Sequence, residues 1–418
     1  MFRDDVSGAP NGTPAALQAA LGAIVFFSTF SIAGTQTALG ASILLWIAFV
    51  RGGRLAAPRR TPVDFPVLLF VAACLVAALC SAERIASLKG LKNLLLVSVL
   101  YLFAFGVSTR RAARRLFAAL LVSGAASSAF GIAGFLLGRG AGALGRISGT
   151  FSTAMTFGGV LLMTSSLFIA SLVGARLGAR ARVAVFASAC ASLAALFLSS
   201  TRSSWLGAVA ALAVVLAVLR RRWLIPFAAG LALFVLLLPA PYRDRVRSIW
   251  NPAYRTNVQR IELLRGGWRI FTEHPIVGVG THDLAELYRA HMPPGAVHVH
   301  GHMHNMFLQV AVQTGVVGLA AFLYLFASFF IVVAGNLKLD LPPPERAFAA
   351  GSLGALVGFA VNGLFEWNFG DAEVVTMLYI IVGANVALAM GETGGAPAPP
   401  AAISGCGIAK TCDRMFRI

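Results

Sequence analysis

Charge is scarce in this 418-residue chain: Asp, Glu, Lys and Arg together fill 12% of positions, against roughly 25% in soluble domains. Hydrophobic residues fill 58%, and the mean hydropathy is +0.80. So few charges cannot clothe a water-facing surface, which excludes a soluble globular domain and points to an integral membrane protein. Acidic residues are scarcest, 16 against 34 Lys and Arg, giving a net charge of +18. There are five cysteines: Cys74, Cys80 and Cys190 in apolar runs, Cys406 and Cys412 near the end. No pair has metal or redox spacing, so they carry no chemistry in this reading. No solenoid period or duplicated half is present, which leaves a transporter of inverted repeats without support. The first thirteen residues form a polar lead without a small-residue cleavage site, unlike a cleaved signal.

Apolar runs dominate the rest. They lie near 16–33, 37–50, 65–80, 91–108, 116–137, 154–174, 183–200, 203–219, 223–239, 315–334, 348–365 and 374–390. Helices are expected, because nothing in hydrocarbon hydrates an open backbone, and roughly 20 residues cross it. The reading is all-α and polytopic, with about twelve transmembrane helices. Helices 1–9 fall in 1–239, a large loop in 240–303, helices 10–12 in 304–392, and a Gly/Pro/Ala-rich tail expected to be disordered in 393–418. With the N-terminus inside, the inside loops read "RGGRLAAPRR", "TRRAARR", "ARLGARAR" and "RRR". An even count places both termini in the cytoplasm. Topology and contact with anionic membrane lipids therefore account for most of the positive charge, and nucleic acid is not needed as a partner.

The large loop, 240–302, falls outside and has eight arginines, no lysine and fewer acidic residues. Guanidinium forks suit phosphate oxygens and stay charged. Within it, Ile261, Leu264 and Trp268 recur at helical spacing, predicting an interfacial amphipathic helix over 259–272 from which Arg260 and Arg265 project in different sectors. "HPIVGVG" then reads as a tight glycine turn. Arg202 sits where two apolar spans meet, a depth at which an ionisable side chain is either a snorkelling anchor or functional. Arg146, Lys89 and Lys92 fall on the same face, anchor roles suiting the lysines better.

All seven histidines lie between His274 and His304, four of them in "HVHGHMH". An extended backbone would turn His298, His300, His302 and His304 to one face and could hold Zn or Cu; a helix opening at His304 would split them. No Cys or nearby Glu completes a familiar metal spacing, and the favoured reading assigns neither metal nor cofactor. His274, before Pro275, suits a structural place in the turn. Gly315 and Gly318 permit close helix packing and hold His304 near the membrane surface, while Glu366 and Asp371 in "NGLFEWNFGD" are acids that could position His304 or an acceptor sugar.

At these residues the chain resembles the bacterial O-antigen ligases. "HNMFLQVAVQTGVVG" matches their His-Asn, nine residues, Gly, two residues, Gly signature; "RSSWL" matches their Arg, three residues, Leu motif; "RIELLRGGW…HPIVGVG" is similar to the arginine-bearing stretch of their periplasmic loop. O-antigen polymerases and protein O-oligosaccharyltransferases share this architecture and parts of the loop. The resemblance implies a GT-C-like glycosyltransferase of the bacterial inner membrane with its site facing the periplasm. It would transfer a preassembled glycan from undecaprenyl diphosphate to a sugar hydroxyl of lipid A-core, inverting the anomeric carbon. It further implies His304 as the base, with Arg202 and Arg260 on the diphosphate. Arg265 is the reserve for the second arginine, and Arg146, His302, Asn305 and Lys89 are expected to line the substrate site.

Overall fold

The apolar runs become helices throughout a computed structural model of the chain, which describes residues 13–55, 58–140 and 145–392. The first twelve residues and the 393–418 tail, with Cys406 and Cys412, lie outside the described residues. The order is α1 (Ala15–Phe27), α2 (Ile32–Arg51), α3 (Asp64–Cys80), α4 (Arg84–Gly90), α5 (Val97–Gly106), α6 (Arg110–Leu136), α7 (Ala154–Gly174) and α8 (Ala179–Leu198). Then come α9 (Arg202–Arg220), α10 (Leu224–Leu237), α11 (Ala240–Arg247), α12 (Arg255–Glu273), α13 (Ala285–His291), α14 (Met306–Asn336), α15 (Pro343–Gly363) and α16 (Ala372–Glu392). Among the described residues there is no strand, and the protein is an all-α, polytopic membrane protein.

Each expected apolar run falls on a helix, though not every one has the full length of a crossing. Among the described residues, eight helical stretches are long and apolar enough to cross a membrane. The run at 16–33 is broken: Ser31 caps α2 by accepting a hydrogen bond from the Gly34 amide, which leaves α1 with 13 residues. α3 is also short at 17, and α9 with α10 forms one 36-residue stretch through a 3₁₀ turn at Arg221–Trp223.

Helices α7, α9 and α15 pack against one another. Small residues allow this: a Cβ on Gly207 would lie 2.7 Å from the Gly358 carbonyl oxygen, and one on Gly358 would lie 2.8 Å from that of Gly207. α9 and α15 are thereby held backbone to backbone, and the start of α9 meets the segment that follows α15. Hydrogen bonds gather the other ends there. Thr156 of α7 donates to Asp371 just before α16, and Asn305 at the head of α14 donates to the Leu364 carbonyl.

The "HPIVGVG" turn has a structural task. α14 is interrupted at Gly315, whose φ of +64° is a left-handed value that glycine adopts without strain. The interruption orphans backbone groups on both sides, and the turn satisfies them: Val279 and Gly280 donate to the Val312 and Gln313 carbonyls, while Val316 and Val317 donate to those of Pro275 and Ile276. A Cβ on Gly315 would sit 2.1 Å from the Ile276 carbonyl oxygen. This glycine therefore serves to break α14 and admit the turn, beyond the close packing expected of it.

The expected amphipathic helix forms as α12 and docks on the protein through a second stripe. Leu263, Gly266, Gly267 and Ile270 face inward, while Leu264 and Trp268 are exposed. The glycines decide the face: a Cβ on Gly266 would meet the Tyr288 ring at 2.5 Å, and one on Gly267 the Met303 sulfur at 2.7 Å. Close approach of small residues outweighs the larger apolar stripe.

Candidate active site

Six segments bring charged or titratable side chains to one small cavity of about 140 Å³. Arg146 comes from the connection before α7, Arg202 opens α9, Arg245 and Arg260 come from α11 and α12, and His300 and His304 precede α14. Glu366, from the connection between α15 and α16, is the one acid among the lining residues. Four guanidiniums facing one carboxylate make this a strong anion-attracting site.

Glu366 is at its centre. Its side chain is 7% exposed; Oε1 accepts a hydrogen bond from Arg260 at 2.5 Å, and Oε2 lies 2.9 Å from His304 Nδ1. Ser203 adds a longer bond to Oε1 at 3.4 Å. Burial alone pushes the carboxyl up, but the His304 hydrogen bond and the charge of Arg260 outweigh it and hold Glu366 below the ordinary carboxylate range. An ionised Glu366 can only accept, so Nδ1 carries the proton between them, and Nε2, the other ring nitrogen, has no hydrogen bond among the described residues. That is the arrangement a general base requires.

His304 is held in an uncommon backbone conformation, φ +45°, as is Ser200 at +52°. Non-glycine residues in this region are strained by roughly 1–3 kcal/mol and concentrate at functional sites. The cause is local. Asn305 caps α14, its side chain accepting from the Leu308 amide, while Gln309 accepts from the Met303 amide, so the chain must turn sharply at His304. Ser200 turns between α8 and α9, and its carbonyl accepts from Arg245 at 3.1 Å.

The sequence-derived residues separate into groups. His304, Arg260, Arg202 and Arg146 line the cavity together. Arg202, 5% exposed, gives its terminal nitrogens to the loop: to the Ser248 carbonyl and hydroxyl, Thr256 and Asn257 at 2.5 to 2.9 Å. Its face also covers the Tyr254 ring, 5.0 Å away. Arg202 thus brings charge to the cavity while fastening the loop against α9. Arg146 donates to the Ser199 carbonyl and Thr201, and burial, then the charges of Arg245 and Arg260, press its pKa down.

His302 stands beside His304, ring centroids 4.3 Å apart. Burial, then repulsion from His304, pushes it down to about 4, so it stays neutral at ordinary pH. Asn305 acts as the α14 cap and the tie to Leu364 and is not among the cavity-lining residues. Arg265 faces a different, apolar groove, and exposed Lys89 on α4 is not at the cavity either. The row of four histidines does not form a strand, and among the described residues no three His, Cys, Asp or Glu side chains are placed to hold a metal ion.

Glu366 and Arg245 stand out little in the sequence. Glu366 is 62 positions from His304 and one of two acids in its segment; its signal is an acid set in an otherwise apolar helix-end segment. Arg245 was one of eight loop arginines with nothing to single it out.

Comparison with known proteins adds one finding. No curated protein matches the chain, but residues 186–323 match the family described as O-Antigen ligase. The matched stretch runs from within α8 to within α14 and carries Arg202, Arg245, Arg260 and His304, though not Arg146 or Glu366. The match shows that this segment, which builds most of the cavity, is similar to the O-antigen ligase family.

Proposed function

We propose that the protein is an O-antigen ligase of the inner membrane, transferring a preassembled glycan from undecaprenyl diphosphate to a sugar hydroxyl of lipid A-core at the periplasmic face. The observation that carries this reading is the Arg260–Glu366–His304 chain inside an arginine-lined cavity. His304 Nε2 takes the proton of the acceptor hydroxyl. The oxygen attacks the anomeric carbon from the side opposite the diphosphate, the bond to the phosphate oxygen breaks, and the configuration inverts. Glu366 fixes the imidazole tautomer and stabilises the imidazolium that forms.

The diphosphate leaves with growing negative charge, and the guanidiniums are already in place to receive it, where a fixed positive field lowers the barrier most. Arg260 is the direct ligand, exchanging Glu366 Oε1 for a phosphate oxygen. Arg245 and Arg146 line the same cavity, and Arg202 acts through its charge while its hydrogen bonds hold the loop. Arginines supply here the charge stabilisation that a metal ion gives other phosphate-releasing enzymes, so turnover is expected to survive chelation.

The test is reconstitution of purified protein with undecaprenyl diphosphate-linked glycan and lipid A-core in the presence of chelator. Glycan appearing on lipid A-core supports the ligase. Glycan lengthening on the carrier assigns the same site to a polymerase, and loss of all transfer on chelation overturns the arginine mechanism.

A further inference from the structure

Beside the polar cavity lies a second opening of about 690 Å³, within the roughly 300–1,000 Å³ usual for small-molecule sites. α12 supplies Ile261, Leu264 and Trp268, and α14 supplies Phe307, Leu308 and Ala311. Trp268 is 58% exposed and Leu264 41%, so the groove is open along its length. Its lining includes two charged residues, Arg265 and Arg269, one helical turn apart on α12. Both are exposed, and neither guanidinium has an ion pair or hydrogen bond among the described residues.

The groove and the cavity share both walls. Arg260 lines the cavity and Ile261, the next residue, the groove; His304 lines the cavity and Phe307 the groove. The two openings therefore adjoin along α12 and the head of α14. The chemistry of the two openings differs. The cavity is polar, with four arginines and the His304–Glu366 pair, and suits a diphosphate. The groove combines a long apolar floor with two unpaired cations at its edge, the complement of a lipid with hydrocarbon chains and a phosphorylated head.

Transfer between two lipid-borne substrates needs two such seats, and the cavity's arginines already serve the donor's diphosphate. We propose that the α12–α14 groove is the docking site of the acceptor glycolipid, its acyl chains along Leu264, Trp268 and Phe307 and a head-group phosphate on Arg265 and Arg269. The identity of the occupant rests on the ligase reading; the groove and its unpaired cations do not.

A photocrosslinker at Leu264 tests this in the full-length protein, reconstituted in vesicles of phosphatidylethanolamine with minor fractions of lipid A and undecaprenyl diphosphate-linked glycan. A second probe at Leu323, an exposed apolar residue of α14 that does not line the groove, reports ordinary lipid contact. The expected result is enrichment of lipid A at Leu264 over its membrane fraction, absent at Leu323 and reduced at least about tenfold by Arg265→Glu with Arg269→Glu. Crosslinking in proportion to lipid abundance would make the groove a bulk membrane contact, and crosslinking mainly to the undecaprenyl carrier would make it a donor seat; either overturns the proposal. Enrichment needs no turnover. If lipid A is enriched while the protein transfers nothing to lipid A-core, the ligase reading fails and the groove stands; transfer without enrichment sinks the groove alone.

Discussion

Two histidine–glutamate pairs in this protein have the same length and different prospects. His304 Nδ1 lies 2.9 Å from Glu366, and His291 Nε2 lies 2.9 Å from Glu273. The difference is in what each partner does next. Glu366, 7% exposed, also holds Arg260, while Glu273 is 56% exposed. His291 spends its other nitrogen on the Leu287 carbonyl at 2.7 Å, so both ring nitrogens are engaged. His304 has no hydrogen bond at Nε2 among the described residues and stands in an arginine-lined cavity. A pair becomes a candidate base by leaving one lone pair free beside a site for its substrate; distance alone does not distinguish the two.

The largest expected contrast is therefore between the histidines themselves. His304→Ala should lower kcat for glycan transfer by roughly 10²- to 10⁴-fold, the range of a lost general base, while His291→Ala stays near the parent. The protein must remain in the membrane with its melting temperature unchanged. Comparable losses in the two variants would dissolve the distinction.

Glu366→Gln comes next, at roughly 10²-fold, because the amide can still touch Nδ1 but no longer stabilises an imidazolium or dictates the tautomer. Its pH dependence has a definite sign. Glu366 is held below the ordinary carboxylate range, so the stabilisation it gives the folded site is complete above roughly pH 4.3 and is lost only as the pH falls through its depressed value. The parent should lose thermal stability on that acid side and the Gln variant should not share the loss. A parallel decline in both would remove Glu366 from the account.

How much of this was legible beforehand follows from what local spacing can carry. The motifs around His304 and Arg202 and the arginines of the loop are short-range patterns, and the structure brings His304, Arg202, Arg260 and Arg146 to one cavity. Glu366 could not be selected, because its place depends on α15 packing against α9 through Gly207 and Gly358. Nor could the inward side of α12 be chosen from hydrophobicity, since the glycines that let it dock are weaker signals than Leu264 and Trp268. Arg260 and Arg265, five residues and roughly 140° apart around a helix, part company for the same reason.

That separation gives a smaller effect. Arg260→Lys keeps the charge but loses the fork that can hold Glu366 and a phosphate oxygen in turn, and should cost about tenfold in kcat/KM for the donor. Arg265→Lys should leave donor kcat/KM within about twofold, because Arg265 faces the apolar groove and a lysine there retains the charge. Equal losses in titrations of donor at saturating acceptor would place both arginines on the diphosphate.

The smallest effect belongs to the outer pair, and its pH window is opposite to that of Glu366. Hydrogen bonding to the Leu287 carbonyl, opposed in part by burial and reinforced by Glu273, raises the His291 pKa above its ordinary value. A raised histidine stabilises the fold fully below its unfolded pKa of roughly 6.5, and the contribution fades as the pH climbs through the folded value. Because Glu273 is largely in water, the gain should be below about 1 kcal/mol and weakened by salt. His291→Gln should thus melt slightly lower than the parent near pH 5.5 and together with it near pH 8.5, with transfer unaffected at both. A stability difference that grew with pH would mean that His291 is held neutral. The contrast between the pairs would then rest on the free Nε2 of His304 alone.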